Sequence, residues 1–278
     1  MAVTATVIAD SIADGCPRLT TLQLRYPRFI HAEVMTHRVF SRNASSSRAI
    51  PVERMIQDVI DDPAMPIHWG KNQPGMQARE ESDEYVALTD KYGEWTDVNT
   101  NEEAWTSARD YAIVHARAFA AAGYHKQIVN RILEPFQHIN VLVTATEWDN
   151  FFALRDHSDA QPEIQALARA MKEAMDNSTI DELNGDREWH MPYCSDFIGT
   201  SENKKISAAR CASVSYKTVD GKPMSVDKAL DIFDKLAGSD PVHASPFEHI
   251  ARPDPDNGPG CRNFTKWHQW RADLEEHT

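Results

Sequence analysis

Cysteine is scarce in this chain: four in 278 residues, at Cys16, Cys194, Cys211 and Cys261, with no CxxC pair. Such wide spacing excludes a disulfide scaffold and a cysteine zinc site, and it fits a reducing cytoplasm. No run approaches the roughly 18 apolar residues of a transmembrane helix. The opening stretch MAVTATVIADSIADG has no basic segment and carries Asp10 and Asp14, so a secretory leader is not expected. Positive charge is also short: 29 Lys plus Arg against 42 Asp plus Glu, a net charge of −13. That balance speaks against nucleic-acid polymers as partners and leaves room only for a local basic pocket holding a small anion. What is present, 41% hydrophobic and 26% charged, suits an α/β or α+β protein with a sizeable core.

Residues 19–26 (LTTLQLRY) alternate, with Leu22, Leu24 and Tyr26 on one side and Thr21, Gln23 and Arg25 on the other. With 29–36 (FIHAEVMT) they predict one bent strand or a tight pair around Pro27. The small polar run 41–47 (SRNASSS) reads as a loop, and Pro51 opens a helix bearing Val52, Met55, Ile56 and Val59. Residues 61–82 read as an irregular excursion. A helix is expected over 101–130, capped by Thr100 or Asn101, with Ala104, Ala108, Tyr111, Ala112, His115 and Phe119 on one broad face. A strand follows at 138–146, then helices at 147–157 and 160–175, the latter carrying Ile164, Leu167, Ala168, Met171 and Met175 at helical spacing. Residues 176–205 look linker-like. A new unit then begins with SAARCASVSY, a helix at 225–237 and HASPFEHI, before a tail at 251–278.

Chemistry concentrates in three places. Residues 36–48 (THRVFSRNASSSR) gather Arg38, Arg42, Arg48, His37 and four serines, among them Ser46 and Ser47, at the end of a predicted strand. Hydroxyls, loop N–H groups and guanidinium forks suit a phosphate monoester, although a solvated polar loop would have the same composition. Arg155 follows the apolar Phe151, Phe152 and Leu154, so its burial calls for an anionic partner: a ligand, or Asp156 or Asp159. His243, Glu248 and His249 in HASPFEH invite a metal, but the spacing is not that of a zincin and Pro246 interrupts any helix. Arg131, in NRILEP, has no obvious local partner.

Together these segments resemble the flavin-dependent thymidylate synthases, the ThyX family, whose signature is R-H-R-x-x-S-x-N-x-x-S-x-R. RILEP and LRDHSDAQPEIQALA are similar to the family's later motifs, HASPFEH to its H-x-x-P-F-E-H element, and AARCASVSY to its opening strand. The order differs: here the family's N-terminal motifs lie at 206–250, after the later motifs at 19–175, so the chain resembles a circular permutation within a single catalytic domain spanning 1–278. The resemblance implies a mixed sheet with flanking helices, a homotetramer with shared active sites, and FAD as cofactor. It also implies NADPH and methylenetetrahydrofolate as co-substrates and reductive methylation of dUMP at C5. Flavin chemistry replaces a cysteine nucleophile, consistent with the absence of cysteine from the motifs that match the nucleotide-binding elements. By position, Thr36, His37, Arg38, Asn150, His243, Ser245 and Glu248 would hold the flavin. Glu33, Ser46, Ser47, Arg48 and Arg131 would bind the nucleotide, and Arg155 would face the pyrimidine and stabilise charge as N3 ionises.

The departures are specific. Thr36 stands for the signature's first arginine and Glu33 for a nucleotide-contacting glutamine; Ala44 and Ala49 replace a glutamate and a tyrosine. Thr144 and Thr146 occupy flavin-contacting positions often held by asparagine and arginine. Arg42, Lys266 and Arg271 are the candidate replacement cations, while Trp267 and Trp270 read as packing. The expected function is thymidylate synthesis. Its alternatives are a hydroxymethylated product, dCMP as substrate through Glu33, a non-catalytic nucleotide- or flavin-binding relative, or, least favoured, a metallohydrolase.

Overall fold

The alternating stretch at 19–26 lies at the centre of a sheet in the computed structural model, which describes residues 3–184, 189–194, 200–218 and 220–275. In chain order the strands are β1 (Thr4–Ile12), β2 (Leu19–Pro27), β3 (Ser41–Ala44), β4 (Val86–Thr89), β5 (Trp95–Asn99), β6 (His138–Ala145), β7 (Asp181–Glu182), β8 (Ala251–Pro253) and β9 (Trp267–Gln269). The helices are α1 (His31–Val34), α2 (Val52–Asp61), α3 (Asn101–Ala121), α4 (Lys126–Ile132), α5 (Asp149–Arg155), α6 (Pro162–Asp176), α7 (Thr200–Ser213), α8 (Val226–Ala237) and α9 (Trp270–Glu275). The main sheet runs β3-β6-β2-β1-β7, antiparallel except for the parallel β1–β7 pair. It is the mixed sheet with flanking helices that the sequence led us to expect. Among the described residues no helix is long and apolar enough to cross a membrane.

One face of the sheet is apolar. Leu22, Leu24 and Tyr26 of β2 and Val141 and Val143 of β6 pack against Ile164, Leu167 and Met171 of α6. Each is removed from water, and burial of one such side chain is worth about 1.5–3 kcal/mol. A second core joins Met55, Ile56 and Val59 of α2 to Ile113 and Ala116 of α3 and Val129 of α4.

The opposite face is polar and still buried, because residues 189–194 and α7 cover it. The Tyr193 hydroxyl donates to Gln23 Oε1 at 2.9 Å. A chain of hydrogen bonds joins Ser11 Oγ to His190 Nδ1 (2.8 Å), His190 Nε2 to Thr21 Oγ1 (2.7 Å), Thr21 to Thr144 (2.7 Å) and Thr144 to His249 Nδ1 (2.8 Å). Burial pushes both imidazoles down to about 3.

Several expectations are corrected. Residues 29–36 are not a strand: a 3-10 turn at Arg28–Ile30 leads into α1, because Pro27 ends the ladder and the Tyr26 hydroxyl bonds His31 Nδ1 at 2.9 Å. Ser41–Ala44, read as a loop, is the edge strand β3, its polar side chains bonding inside the protein, as in Asn43 Nδ2 to Cys211 O at 3.2 Å. The helix expected over 101–130 stops at Ala121; Gly123, with φ +85°, turns the chain into α4. Thr100 does cap α3, in a reciprocal capping box with Glu103. The buried face of α3 runs through Trp105, Ala112, Ile113, Ala116 and Ala120, leaving Tyr111, His115 and Phe119 exposed. It is rotated because the Trp105 indole reaches in to donate to Ala64 O at 3.0 Å. The segment likened to an opening strand, AARCAS, is part of α7. In the linker-like 176–205, Gly185 and Gly199 lie outside the described residues, but His190 and Tyr193 are core. The tail is integral too: Trp267 is fully buried and its indole donates to Pro17 O at 2.7 Å.

The two buried histidines make stability depend on pH. Their folded values of about 3 lie below the ordinary 6.5, so between these limits the unfolded chain binds protons that the folded one refuses. Their contribution is complete above pH 6.5 and falls with acidification, by up to about 1.4 kcal/mol per pH unit for each histidine. Urea midpoints at pH 7, 6 and 5 should drop progressively. The drop should be shallower in His190→Asn/His249→Asn, and an unchanged slope there would show that these rings do not exclude protons.

Candidate active site

The turn after α1 is closed by its own backbone: Thr36 and His37 amides return to Glu33 O and Val34 O at 3.1 and 3.3 Å. Phe40 anchors it in the core, 4.8 Å from Trp148 and 5.4 Å from Phe151, ring centre to ring centre. His37 packs edge-on to Phe151 at 4.8 Å and is buried. Ser41 pairs with Thr144, which brings the turn to the end of β6 where α5 begins. Arg155 lies one helical turn beyond Phe151, on the same face of α5.

The meeting is specific. Arg155 Nε donates to His37 Nε2 at 3.0 Å, its Nη2 donates to Thr36 Oγ1 at 3.3 Å, and its Nη1 lies 3.6 Å from Glu33 Oε2. The Thr36 hydroxyl spends its own hydrogen on Glu33 O at 2.7 Å. A guanidinium only donates, so His37 Nε2 is the acceptor and the neutral ring carries its proton on Nδ1. Burial first, then the charges of Arg155 and Arg42, hold the His37 pKa below its ordinary value. Four residues named from sequence, Glu33, Thr36, His37 and Arg155, thus form one cluster. The partnership of Arg155 with Asp156 or Asp159 is corrected: Asp156 takes Arg169 and Lys172 at 3.0 and 3.2 Å, and Asp159 lies 3.9 Å from Arg79.

Beside the cluster opens a cleft of about 450 Å³, within the range of small-molecule sites. Its walls include His37, Val39, Thr146, Trp148, Asn150 and Phe151, with Glu147 and Asp149 also lining it. The Trp148 indole nitrogen is buried without a hydrogen-bond partner. The C-terminal segment buttresses the cleft walls: Asn263 Nδ2 donates to Val39 O at 2.9 Å and the Thr265 hydroxyl to Glu147 Oε1 at 2.7 Å.

A second polar surface lies beyond the other end of β3. Ser46 and Arg48 are exposed on the loop 45–50, whereas Ser47 is buried. Arg131 follows Asn130, which bonds that loop, and it does have a local partner, Glu134 at 2.8 Å, which Arg28 shares at 2.9 Å.

Other candidates are placed elsewhere. Arg38 is exposed and does not line the cleft. His243 and Ser245 are exposed at the entry to a 3-10 turn, and Glu248 is paired with Arg271, so this chain's cleft does not receive them. His249 is in the buried chain, and among the described residues His243, Glu248 and His249 do not form a group that could hold a metal ion. Thr144 is buried in the same chain, whereas Thr146 does line the cleft and accepts from the Thr265 amide at 3.0 Å. The proposed replacement cations are engaged as well: Arg42 with Met35 O, Lys266 with Gly15 O and Arg271 with Glu248. Trp267 and Trp270 are packing residues, as read from sequence. Sequence reasoning missed Asn130, Asn263 and Thr265; each is a polar residue whose only signal would have been its contact across the fold.

A family model described as thymidylate synthase complementing protein matches residues 19–178. Among solved structures, the UMP/dUMP methylase PolB from Streptomyces cacaoi, bound with 5-Br dUMP, aligns with a TM-score of 0.45 and 15% identity, covering 63% of this chain and 90% of that one. The flavin-dependent thymidylate synthase ThyX from Helicobacter pylori, complexed with FAD and dUMP, aligns with a TM-score of 0.36 and 17% identity, covering 56% and 67%. No curated protein matches the chain.

The geometry around His37 has a spectroscopic consequence. Arg155→Ala removes one of the charges that depress its pKa but not the burial. The His37 titration followed by NMR should therefore move up toward, without reaching, the ordinary value of about 6.5. No movement would mean that the Arg155 contact is absent in solution.

Proposed function

The chain belongs to the thymidylate synthase complementing protein family, whose model spans more than half of it, and from that premise we propose that it transfers a one-carbon unit from methylenetetrahydrofolate to C5 of dUMP, giving dTMP. The observation that supports this most is the meeting of Arg155 with Glu33, Thr36 and His37, residues about 120 positions apart in sequence. A guanidinium hydrogen-bonded by a neutral imidazole and a hydroxyl, with the Glu33 carboxylate at 3.6 Å, is held in a set direction. Beside a pyrimidine it stabilises the negative charge that develops as C5 becomes nucleophilic, with no reorganisation at the moment of reaction. The loop 45–50 and Arg131 bind the phosphate in this reading. Strand β3, about 13 Å of extended chain, separates the two subsites.

The cleft residues fit a flavin. Trp148 and Phe151 offer aromatic walls to an uncharged planar ring, and His37 and Asn150 offer hydrogen bonds at its edge. Glu147 and Asp149 make the rim unfavourable for a diphosphate, so the ring and its sugar-alcohol arm suit this cleft better than the diphosphate of FAD. When bound, reduced FAD supplies the hydride that completes the methyl group, with NADPH as the reductant. His243, Ser245 and Glu248 belong in this reading to the site of a neighbouring subunit in a homotetramer. Chain 1–278 is then one permuted catalytic domain, in keeping with the packing of His249 and β8 beside the main sheet.

A second reading changes the substrate or product. Glu33 puts a carboxylate beside Arg155, an acceptor that an exocyclic amine of dCMP can use. Mass spectrometry of the nucleotide after anaerobic incubation with FAD, NADPH, methylenetetrahydrofolate and either dUMP or dCMP separates the readings. A methylated uracil nucleotide is expected. A hydroxymethylated or cytosine product would shift the assignment, and protein that takes up no FAD and makes no product would be a non-catalytic relative. Arg155→Ala should cut kcat/KM about a hundredfold or more. Its Tm should change by no more than about 4 °C, because the ion pair is partly exposed.

A further inference from the structure

Asn130 is fully buried, yet none of the chemistry above uses it. Its Nδ2 donates to Ser47 O at 2.7 Å and to Ile50 O at 3.0 Å, so one amide group closes the loop 45–50 like a clasp. Its own backbone is held from behind by Gln137 Nε2, which donates to Asn130 O at 2.9 Å. Lys126, one turn earlier in α4, donates to Ala49 O at 3.0 Å. Three consecutive-region carbonyls of the loop, those of Ser47, Ala49 and Ile50, are thereby occupied by donors from α4. Their lone pairs are not left to repel an anion, while Ser46 and Arg48 stay exposed. Asn130 Oδ1 is buried without a hydrogen-bond partner. Arg131, the next residue of the same helix, is exposed.

We propose that Asn130 is the positioning residue for phosphate recognition: it fastens the loop bearing Ser46 and Arg48 to the helix bearing Arg131, so that side chains far apart in sequence act as one anion site. This rests on the reading that these residues receive the nucleotide phosphate. A phosphate oxygen needs donors at set positions, and a free loop would have to be ordered on binding, which weakens affinity.

The experiment compares dUMP with deoxyuridine, which lacks the phosphate, by calorimetric titration of the FAD-loaded full-length protein. The wild type should bind dUMP more tightly. Equal affinities there would overturn both the phosphate reading and the role of Asn130. In Asn130→Ala, dUMP should weaken about tenfold while deoxyuridine stays within about twofold, so the phosphate increment is lost selectively. Equal weakening of both ligands, or of neither, with the wild-type preference intact, would overturn the role of Asn130 alone. Should Asn130→Ala not yield folded protein, Asn130→Ser, whose hydroxyl is too short to span both carbonyls, gives the same comparison. Turnover adds a second readout: KM for dUMP should rise about tenfold with kcat within about twofold, a split that general loosening would not produce.

Discussion

Two imidazoles and three hydroxyls cross the sheet as a single file of hydrogen bonds, and the placement of the distant segments depends on it. Ser11, Thr21 and Thr144 stand on β1, β2 and β6, while His190 and His249 come from segments far down the chain. A hydroxyl can donate once and accept, and a neutral imidazole does each once. The file can therefore run consistently in either direction; in one of them His249 Nδ1–H donates and the sequence passes through both threonines to His190 Nε2, and from His190 Nδ1–H to Ser11. In that sense the buried atom without a partner, His249 Nε2, is an acceptor, a milder defect than an orphaned N–H. A protonated ring would need two acceptors and break the sequence of donors, and burial keeps both rings neutral.

The candidate site grows out of the same strand pairing. β3 lies against β6 with Ser41 opposite Thr144 and Ala44 opposite Val141. One end of this short strand receives the turn carrying Thr36 and His37 beside the start of α5. The other releases the loop 45–50, whose Ser45 amide bonds Asn140 O at 2.8 Å near the beginning of β6. A slip of one residue would turn Ser41 and Asn43 to the wrong face and dissolve both subsites together. The C-terminal segment supports the arrangement through Asn263 and Gln269, which meet at 2.8 Å and both approach the Ser41 hydroxyl. It contributes shape to the site where cations had been expected.

The misread stretches share a cause. SRNA looked like a loop because its side chains are polar, but Ser41 and Asn43 are buried and find partners across the fold. FIHAEVMT looked like a strand because its content is apolar and β-branched, but Pro27 cannot extend the ladder. Tyr111 and Phe119 share the broad face read for α3, but packing chose the face that Trp105 and the alanines make flat. In each case a local average was overruled by one contact between residues remote in sequence.

What the sequence by itself determined is what depends on neighbours: the alternation of β2, the apolar stripe of α6, the capping box at Thr100, and the string of residues from Thr36 to Arg48 that marks the family. Periodicity and motif are local properties and survive without a fold. The partner of Arg155 was decided only by the tertiary structure. Asp156 is adjacent in the chain, yet α6 supplies it with Arg169 and Lys172, while the pairing of β3 with β6 delivers His37 and Thr36 to the guanidinium. Charge proximity along a chain is a matter of sequence; hydrogen-bond direction at about 3 Å is set by packing, and only the folded sheet provides it.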